Sequence, residues 1–291
     1  MALCVLAGAV SGVVADLVTH PISTIKTRLQ VQGAARHLGA SGMSVYSNPI
    51  GALAQILRAE GVGALYKGVG AVVVAAAPAQ ALFFVGYEGS RDALEWMGGQ
   101  KARNSAWGTF GAGFVAQLVG SIAWVPMDVI KERLQVEGQM AVKEHYGGSV
   151  AAFRRILRSE GVSGLYRAYW IHQATWAPFN GLYFMLYESF KKFAKDHDLY
   201  PKTWEGISAG VVAGAVTNPM DLVKTRLQVA RSNPGVFDYE GPVDCAVKIA
   251  RREGVFALFD GVGARVLLIA PRLTIAVATY EVLTGLLAAW L

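Results

Sequence analysis

One sequence pattern occurs three times along this chain and limits what the chain can fold into. The decapeptides PISTIKTRLQ (21–30), PMDVIKERLQ (126–135) and PMDLVKTRLQ (219–228) share a leading proline, a lysine and a closing Arg-Leu-Gln. Each is followed by a Glu-Gly landmark that begins at Glu60, Glu160 or Glu253, and then by an apolar segment with a central proline that ends in Tyr-Glu. Three landmarks in the same order, three times over, indicate three copies of one structural unit of about 100 residues.

Long apolar stretches place these units in a membrane. Charged residues form 16% of the chain, against about 25% in soluble domains. Residues 68–87, 104–127 and 168–187 contain no Asp, Glu, Lys or Arg, and each is long enough to cross a bilayer as a helix. Residues 1–24, 206–220 and 261–280 are also apolar but contain or adjoin charges, which in a span usually face a partner or a wet cavity. We therefore predict an all-α membrane protein with six transmembrane helices.

The landmarks also predict the arrangement of the helices. Each unit reads as a spanning helix, a loop with a short amphipathic helix such as 50–59 or 150–159, and a second spanning helix. The units, residues 1–97, 98–198 and 199–291, are expected to form one integrated bundle with three-fold pseudo-symmetry. Most of the 27 lysines and arginines follow the motif lysines, so the three long loops share the positive-inside face of the membrane. No cleavable signal peptide is expected before the first helix.

These motifs resemble the signature of the mitochondrial carrier family. That signature is Pro-x-(Asp/Glu)-x-x-(Lys/Arg)-x-(Lys/Arg), then (Asp/Glu)-Gly and aromatic-(Lys/Arg)-Gly, in each of three repeats, and the resemblance covers essentially the whole chain. It implies a transporter rather than an enzyme, with one central site, alternating access and solute exchange. It also implies the mitochondrial inner membrane, with both termini in the intermembrane space. A working monomer without cofactor, metal or nucleic acid is expected, with cardiolipin as a structural lipid near Tyr66, Lys67, Gly68 and their counterparts.

The motif charges predict a gate at the matrix end. Asp128 and Lys131 are three residues apart and share a helix face, as do Asp221 and Lys224. In a three-fold bundle the acid of one unit can meet the base of the next. Ser23 replaces the acid of the first unit, so we expect two pairs, Asp128–Lys224 and Asp221–Lys26. The predicted matrix gate is Lys26, Asp128, Lys131, Asp221 and Lys224, with hydrogen bonds across the pairs from Gln30, Gln135 and Gln228.

A second ring of charges is predicted at the opposite, cytoplasmic end. Glu88 with Arg91 and Glu188 with Lys191 repeat a Tyr-Glu-x-x-basic pattern, whereas Glu281 is followed by Thr284. The pairs expected in this cytoplasmic gate are Glu281–Arg91 and Glu88–Lys191. Two gates of comparable weakness at opposite ends of one cavity suit alternating access.

The family resemblance also implies which residues contact the solute. The second helix of each unit supplies contacts three residues before its central proline, with others one turn toward the matrix, and the first helix contributes Asp16. The predicted set is Asp16, Ala75, His172, Thr175, Trp176, Arg265, Leu268 and Arg272. Three of these keep an alternative. Asp16 could form a structural pair with Arg265, Trp176 could pack rather than stack on a solute, and His172 could be hydrogen-bonded structure rather than a proton or metal site.

Two subfamilies share parts of the sequence. DLVTHPISTIKTRLQ and LYKGVGAVVVAAAPAQALFF are similar to S-adenosylmethionine carriers, which also place an acid at position 16 but have an Arg-Glu pair where this chain has Thr175 and Trp176. YRAYWIHQATWAPF and GVGARVL are similar to the iron-transporting mitoferrins, although Gln80 replaces an expected histidine. We favour an organic, partly cationic solute such as S-adenosylmethionine. The alternatives are an iron carrier and a carrier-fold scaffold that does not transport, with a proton-leak uncoupler as a further reading.

Overall fold

The computed structural model describes residues 2–37, 45–103, 105–139, 145–196, 204–231 and 236–290. Some predicted positions lie outside these ranges: residues 1 and 104, which begin two predicted spans, and the predicted boundary at 198–199. Within the described residues the fold is all-helical, as predicted, with 3₁₀ turns at Val62–Tyr66 and Val255–Phe259. The α-helices are α1 Ala2–His37, α2 Pro49–Ala59, α3 Val69–Arg103, α4 Ala106–Val136, α5 Ser149–Tyr166, α6 Tyr169–Asp196, α7 Trp204–Val216, α8 Asn218–Ala230, α9 Pro242–Arg252 and α10 Val262–Trp290.

The outer surface of the bundle is apolar, whereas charged side chains are buried inside it. Val74 and Trp170 are 74% and 75% exposed, while Arg28 is completely buried. Among the described residues, three helical stretches are long and apolar enough to cross a membrane: Val62–Arg103, Phe110–Val136 and Val255–Leu286, with Trp204–Val216 a shorter apolar helix. The remaining predicted spans, α1 and α6, carry more polar residues, several of which line an internal cavity. A wet interior is where spanning helices can hold polar groups.

The helices pack as a closed ring. Helix α3 lies against α4, α6 against α7 and α8, and α10 against both α7 and α1. Three apolar clusters tie the short loop helices to the motif helices, and Ile56 of α2, Ile156 of α5 and Ile249 of α9 are each buried in one of them. Burying a side chain of this size stabilises the fold by roughly 1.5–3 kcal/mol. The three loops are therefore anchored beneath the motif charges at one end of the bundle.

The motif prolines do not all act alike. Helices α1 and α4 continue through Pro21 and Pro126. The corresponding span of the third repeat, predicted as one helix, is instead divided into α7 and α8 at Thr217, whose φ is −88° and ψ is 6°. Pro219 then lies in the first turn of α8, where its missing N–H is not needed. The Asn218 side chain stabilises this break by donating to the carbonyl of Leu258 at 3.0 Å.

A glycine brings each of two loops close to the next motif helix. Gly68 has a φ of +85°, and a Cβ at this position would lie 2.9 Å from the Cα of Lys131 on α4. Gly261 has a φ of +78°, and its Cβ would lie 2.9 Å from the side chain of Gln30 on α1. Both the positive φ and the close approach require glycine. Ala168 takes this place in the second repeat and is completely buried.

Candidate functional site: the central cavity and its gates

The bundle encloses a central cavity of about 350 Å³. Side chains from α1, α3, α4, α6, α8 and α10 line it, so all three repeats contribute to one site. Of the residues predicted to contact the solute, five lie on its wall: Asp16, Trp176, Arg265, Leu268 and Arg272. The five charged residues of the predicted matrix gate line it too. A space of this size suits a small metabolite.

Ion pairs between different repeats close the end of the cavity at which the matrix gate was predicted, which is called the matrix end below. Lys26 of α1 lies 2.6 Å from Asp221 of α8, and Lys224 of α8 lies 2.6 Å from Asp128 of α4. The structure thus brings together both of the expected pairs. Lys131, which faces Ser23 in the three-fold scheme, lies 3.6 Å from Asp128 of its own helix. All four residues of the two pairs have side chains 11% exposed or less.

The three motif glutamines occupy equivalent places beside these pairs but make different hydrogen bonds. Gln30 donates to Asp221 at 2.9 Å, and so bonds across an ion pair as predicted. The amide nitrogen of Gln135 instead lies 3.4 Å from the Ser23 hydroxyl, because Ser23 offers no carboxylate at its corner. Gln228 can hydrogen-bond to its neighbours only when its amide nitrogen points toward Glu132. In that orientation the nitrogen donates to Glu132 Oε1 at 3.1 Å.

Arg265 of α10 belongs to the closed end of the cavity. Its guanidinium donates to Thr217 at 3.0 Å, lies 3.7 Å from the Asp221 carboxylate and sits 5.9 Å from the centre of the Phe179 ring. Its side chain is 9% exposed. Arg265 therefore adds a further cation to the Lys26–Asp221 pair.

Asp16 pairs with Arg272 and not with Arg265, the partner considered from the sequence. Arg272 Nε lies 2.6 Å from Asp16 Oδ1, and Nη2 lies 3.5 Å from Oδ2. The Asp16 side chain is 19% exposed and the Arg272 side chain is 39% exposed, so the pair remains accessible from the cavity. The pair joins α1 to α10, a packing of the first and last helices that no local spacing reveals.

Three of the predicted solute contacts lie outside the cavity wall. Ala75 is packed in an apolar cluster with Val72 of α3 and residues of α4. Thr175 donates to the carbonyl of Ile171 and is buried within its own helix turn. His172 is 1% exposed and lies behind the gate, with Nδ1 3.5 Å from Asp128 Oδ2. On α6 the helix is rotated so that Trp176, one residue after Thr175, faces the cavity instead.

The cytoplasmic end has a different arrangement. Glu88 contacts Arg103 at 3.6 Å, Glu188 contacts Lys191 at 4.0 Å, and Arg91 lies 5.7 Å from the centre of the Tyr87 ring. The predicted pairs Glu281–Arg91 and Glu88–Lys191 are not among the ion pairs that the described residues form. This conformation is closed at the matrix end, and alternating access closes one end while the other is open. The cytoplasmic pairs therefore stay a prediction for the opposite state.

A ring of buried arginines, which was not among the predicted site residues, supports the gate. Each of Arg28, Arg133 and Arg226 donates from Nη1 and Nη2 to the Glu of a Glu-Gly landmark: Glu60, Glu160 and Glu253, respectively. The Nε of each arginine also donates to the main-chain carbonyl of a motif glutamine in another repeat. These glutamines are Gln135, Gln228 and Gln30, at 2.8, 3.1 and 2.9 Å, respectively. Burial opposes ionisation of Glu60, but hydrogen bonding from Arg28 prevails and lowers its pKa. The sequence signal for these contacts is that the motif arginine and the glutamate of the Glu-Gly landmark both recur in all three repeats.

Comparison with known proteins matches the three repeats. A family model described as mitochondrial carrier protein matches residues 1–97, 102–198 and 199–289. The chain belongs to the mitochondrial carrier family. It is 41% identical over 292 residues to mitochondrial substrate carrier family protein E of Dictyostelium discoideum, with 96% of this chain and 94% of that protein covered.

Other relatives of this carrier have names that state different solutes. S-adenosylmethionine carrier 1, chloroplastic/mitochondrial, of Arabidopsis thaliana is 35% identical over 267 residues, covering 90% of this chain and 72% of that protein. The succinate/fumarate mitochondrial transporter of Saccharomyces cerevisiae is 31% identical over 300 residues, covering 96% and 89%. Sequence similarity therefore shows a solute transporter of this family. Because the relatives' names state different solutes, the solute of this carrier has to be inferred from its cavity.

Three aromatic side chains of α6 form an aromatic wall of the carrier's cavity, and only one of them, Trp176, was predicted as a solute contact. Trp176, Phe179 and Tyr183 follow one another on the cavity side, with ring centres 5.5 and 6.2 Å apart. Phe179 and Tyr183 are stacked, with 13° between their planes. The spacing of three and four residues, which places side chains on one helix face, could have extended the prediction from Trp176 to its neighbours.

Proposed function

We propose that this carrier moves an organic solute with both a positive group and a carboxylate, S-adenosylmethionine foremost, across the mitochondrial inner membrane by alternating access. The Asp16–Arg272 pair carries the proposal. It presents a carboxylate for a cation and a guanidinium for a carboxylate, held 2.6 Å apart on the cavity wall. Because both side chains are partly exposed, a zwitterionic solute can exchange its own charges for those of the pair.

The aromatic wall supports a solute with a ring or an onium centre. Trp176, Phe179 and Tyr183 present indole, phenyl and phenol surfaces to the cavity, and Trp124 of α4 also lines it. Aromatic faces stack on planar rings and attract cations. An adenine ring and a sulfonium both suit such a surface.

The charge on the cavity wall further narrows the solute class. Five cationic side chains line the cavity, against four carboxylates: Lys26, Lys131, Lys224, Arg265 and Arg272, against Asp16, Asp128, Glu132 and Asp221. A wall with this balance favours a solute that brings a carboxylate over a bare metal cation. The sequence similarity to S-adenosylmethionine carriers agrees with this choice.

The test is uptake into liposomes that contain the purified protein. Radiolabelled S-adenosylmethionine should enter against internal S-adenosylmethionine, and Asp16→Asn or Arg272→Gln should lower the rate about tenfold or more, since each removes a charge-assisted contact. Thr274→Val is the matched control, because Thr274 is exposed on the same helix as Arg272 and lies outside the cavity lining. It should transport at the unaltered rate.

The panel of solutes separates the alternatives. It includes S-adenosylhomocysteine, which lacks the sulfonium charge, together with aspartate, succinate and ferrous iron. Uptake of ferrous iron alone would replace the proposal with the iron reading. Uptake of no solute by protein that melts cooperatively would favour the non-transporting scaffold.

The orientation in the membrane is part of the proposal. We place both termini in the intermembrane space and the basic loops in the matrix, with cardiolipin bound near Lys67 and its counterparts and one chain as the working unit. This sidedness is supported by exposed arginines on α5 and α9, such as Arg154, Arg158, Arg251 and Arg252. Protease treatment of intact mitoplasts checks it, because only epitopes at the termini should be cleaved.

A further inference from the structure

Each motif has a residue six positions after its proline that faces a glutamine of another repeat. Thr27 donates to Gln135 at 2.8 Å, and Thr225 donates to Gln30 at 2.9 Å. The second repeat has Glu132 at this position. The pseudo-symmetry therefore turns Glu132 toward Gln228, and the Gln228 amide nitrogen lies 3.1 Å from its Oε1. A neutral hydroxyl in two repeats is replaced by a carboxylate in the third.

Another position of the gate lacks the carboxylate that symmetry predicts. Asp128 and Asp221 each pair with a lysine of another repeat, whereas Ser23 stands at the equivalent place in the first repeat. Among the described residues, therefore, no ion pair joins α1 to α4 at the corner where Ser23 would meet Lys131. Lys131 contacts Asp128 of its own helix at 3.6 Å.

Glu132 adds a carboxylate at the neighbouring corner, between α4 and α8. Its carboxylate lies 3.8 Å from Lys224 Nζ, and its side chain is 3% exposed although it lines the cavity. A carboxylate so deeply buried is costly unless it is paired. With Glu132 the motif lysines Lys26, Lys131 and Lys224 again face three carboxylates.

We propose that Glu132 substitutes for the carboxylate missing at Ser23 and is the third anion of the matrix gate. It acts as a positioning residue, because it holds Lys224 together with Asp128 when the matrix end is closed. The gate thereby becomes asymmetric, with the α4–α8 corner strengthened and the α1–α4 corner weak. The proposal rests on the alternating access of this family and not on the identity of the solute.

Melting temperatures of the purified carrier in detergent, measured without any solute, test the proposal. Glu132→Thr, which copies the other two repeats, should lower the melting temperature by about 4 °C. Glu132→Gln should lower it by a similar amount, because it keeps the shape and the hydrogen-bonding capacity but loses the charge. Ser23→Asp added to Glu132→Thr should recover at least half of the loss by pairing with Lys131.

Thr225→Val is the matched control, since it removes the equivalent neutral contact in another repeat. It should also lower the melting temperature, but Ser23→Asp should raise it less than in Glu132→Thr, where the closed end lacks one carboxylate. A wild-type melting temperature for Glu132→Gln would overturn the proposal, as would absence of rescue or equal rescue of both variants. If Glu132→Thr does not fold, the same comparison is made with Glu132→Gln and the Ser23→Asp, Glu132→Gln double variant.

Discussion

The two ends of the cavity carry similar charges but use them differently. At the matrix end, Lys26–Asp221 and Lys224–Asp128 join different repeats and have side chains at most 11% exposed. At the cytoplasmic end, Glu88 and Glu188 make their ion pairs within α3 and within α6, and their side chains are 43% and 61% exposed. Helix convergence, and not the sequence pattern alone, therefore decides which charges form a network.

Burial makes the two ends unequal in energy. An exposed ion pair contributes about 0.2–1 kcal/mol because water and salt screen it. Removing one partner of a buried pair costs about 3–5 kcal/mol, mostly because a charge is left without a partner. In the conformation described here, the closed matrix end should hold the repeats together, while the cytoplasmic end should contribute little until the bundle changes state.

The largest expected effect comes from Asp128→Asn. It leaves the buried Lys224 without its 2.6 Å partner, and we expect a loss of about 3 kcal/mol in stability because Glu132, at 3.8 Å, compensates only in part. Thermal unfolding in detergent measures it. Asp92→Asn is the control, since Asp92 pairs with Arg103 on the cytoplasmic side with its side chain 68% exposed. Equal losses for the two variants would refute the inequality of the ends.

The arginine ring should give a smaller but clear effect. Arg133→Lys keeps the charge but loses the two-nitrogen contact with Glu160 and the bond from Nε to the Gln228 carbonyl, which is 3.1 Å long. Lysine cannot reproduce this geometry, and we expect a loss of about 2 kcal/mol. Arg231→Lys is a matched control, because Arg231 lies 3.7 Å from the same Glu160 but is 39% exposed. A similar melting temperature for both variants would contradict a supporting role for the ring.

Much of the fold and of the closed gate followed from the repeated sequence. Three copies of one motif fix which residues are equivalent, and cyclic pairing of equivalents predicts Asp128–Lys224 and Asp221–Lys26 without any knowledge of packing. Those partners are set by symmetry, which the sequence displays directly. Arg28 and Glu60 lie in one repeat, so cyclic pairing does not predict their contact, although both residues recur in all three units.

The wall of the cavity followed less well, because it depends on how each helix is rotated and which helices meet. Ala75 and Thr175 stand at the positions that the family resemblance implies, yet the helices turn them into packed interior. Asp16–Arg272 joins the first and last helices, and ring closure decides that contact. Likewise, the split at Thr217 depends on Asn218 reaching the carbonyl of Leu258.

The smallest expected change in stability, and the sharpest test of the open end, is Glu281→Gln. Glu281 is exposed, so the melting temperature should not change measurably in the matrix-closed state. If Glu281 pairs with Arg91 when the cytoplasmic end closes, the variant weakens that state by up to about 1 kcal/mol, and solute exchange should slow up to about fivefold. Glu95→Gln on α3, which removes an ion pair with Arg103, should leave the exchange rate unaltered. An unaltered exchange rate in Glu281→Gln would remove Glu281 from the cytoplasmic gate.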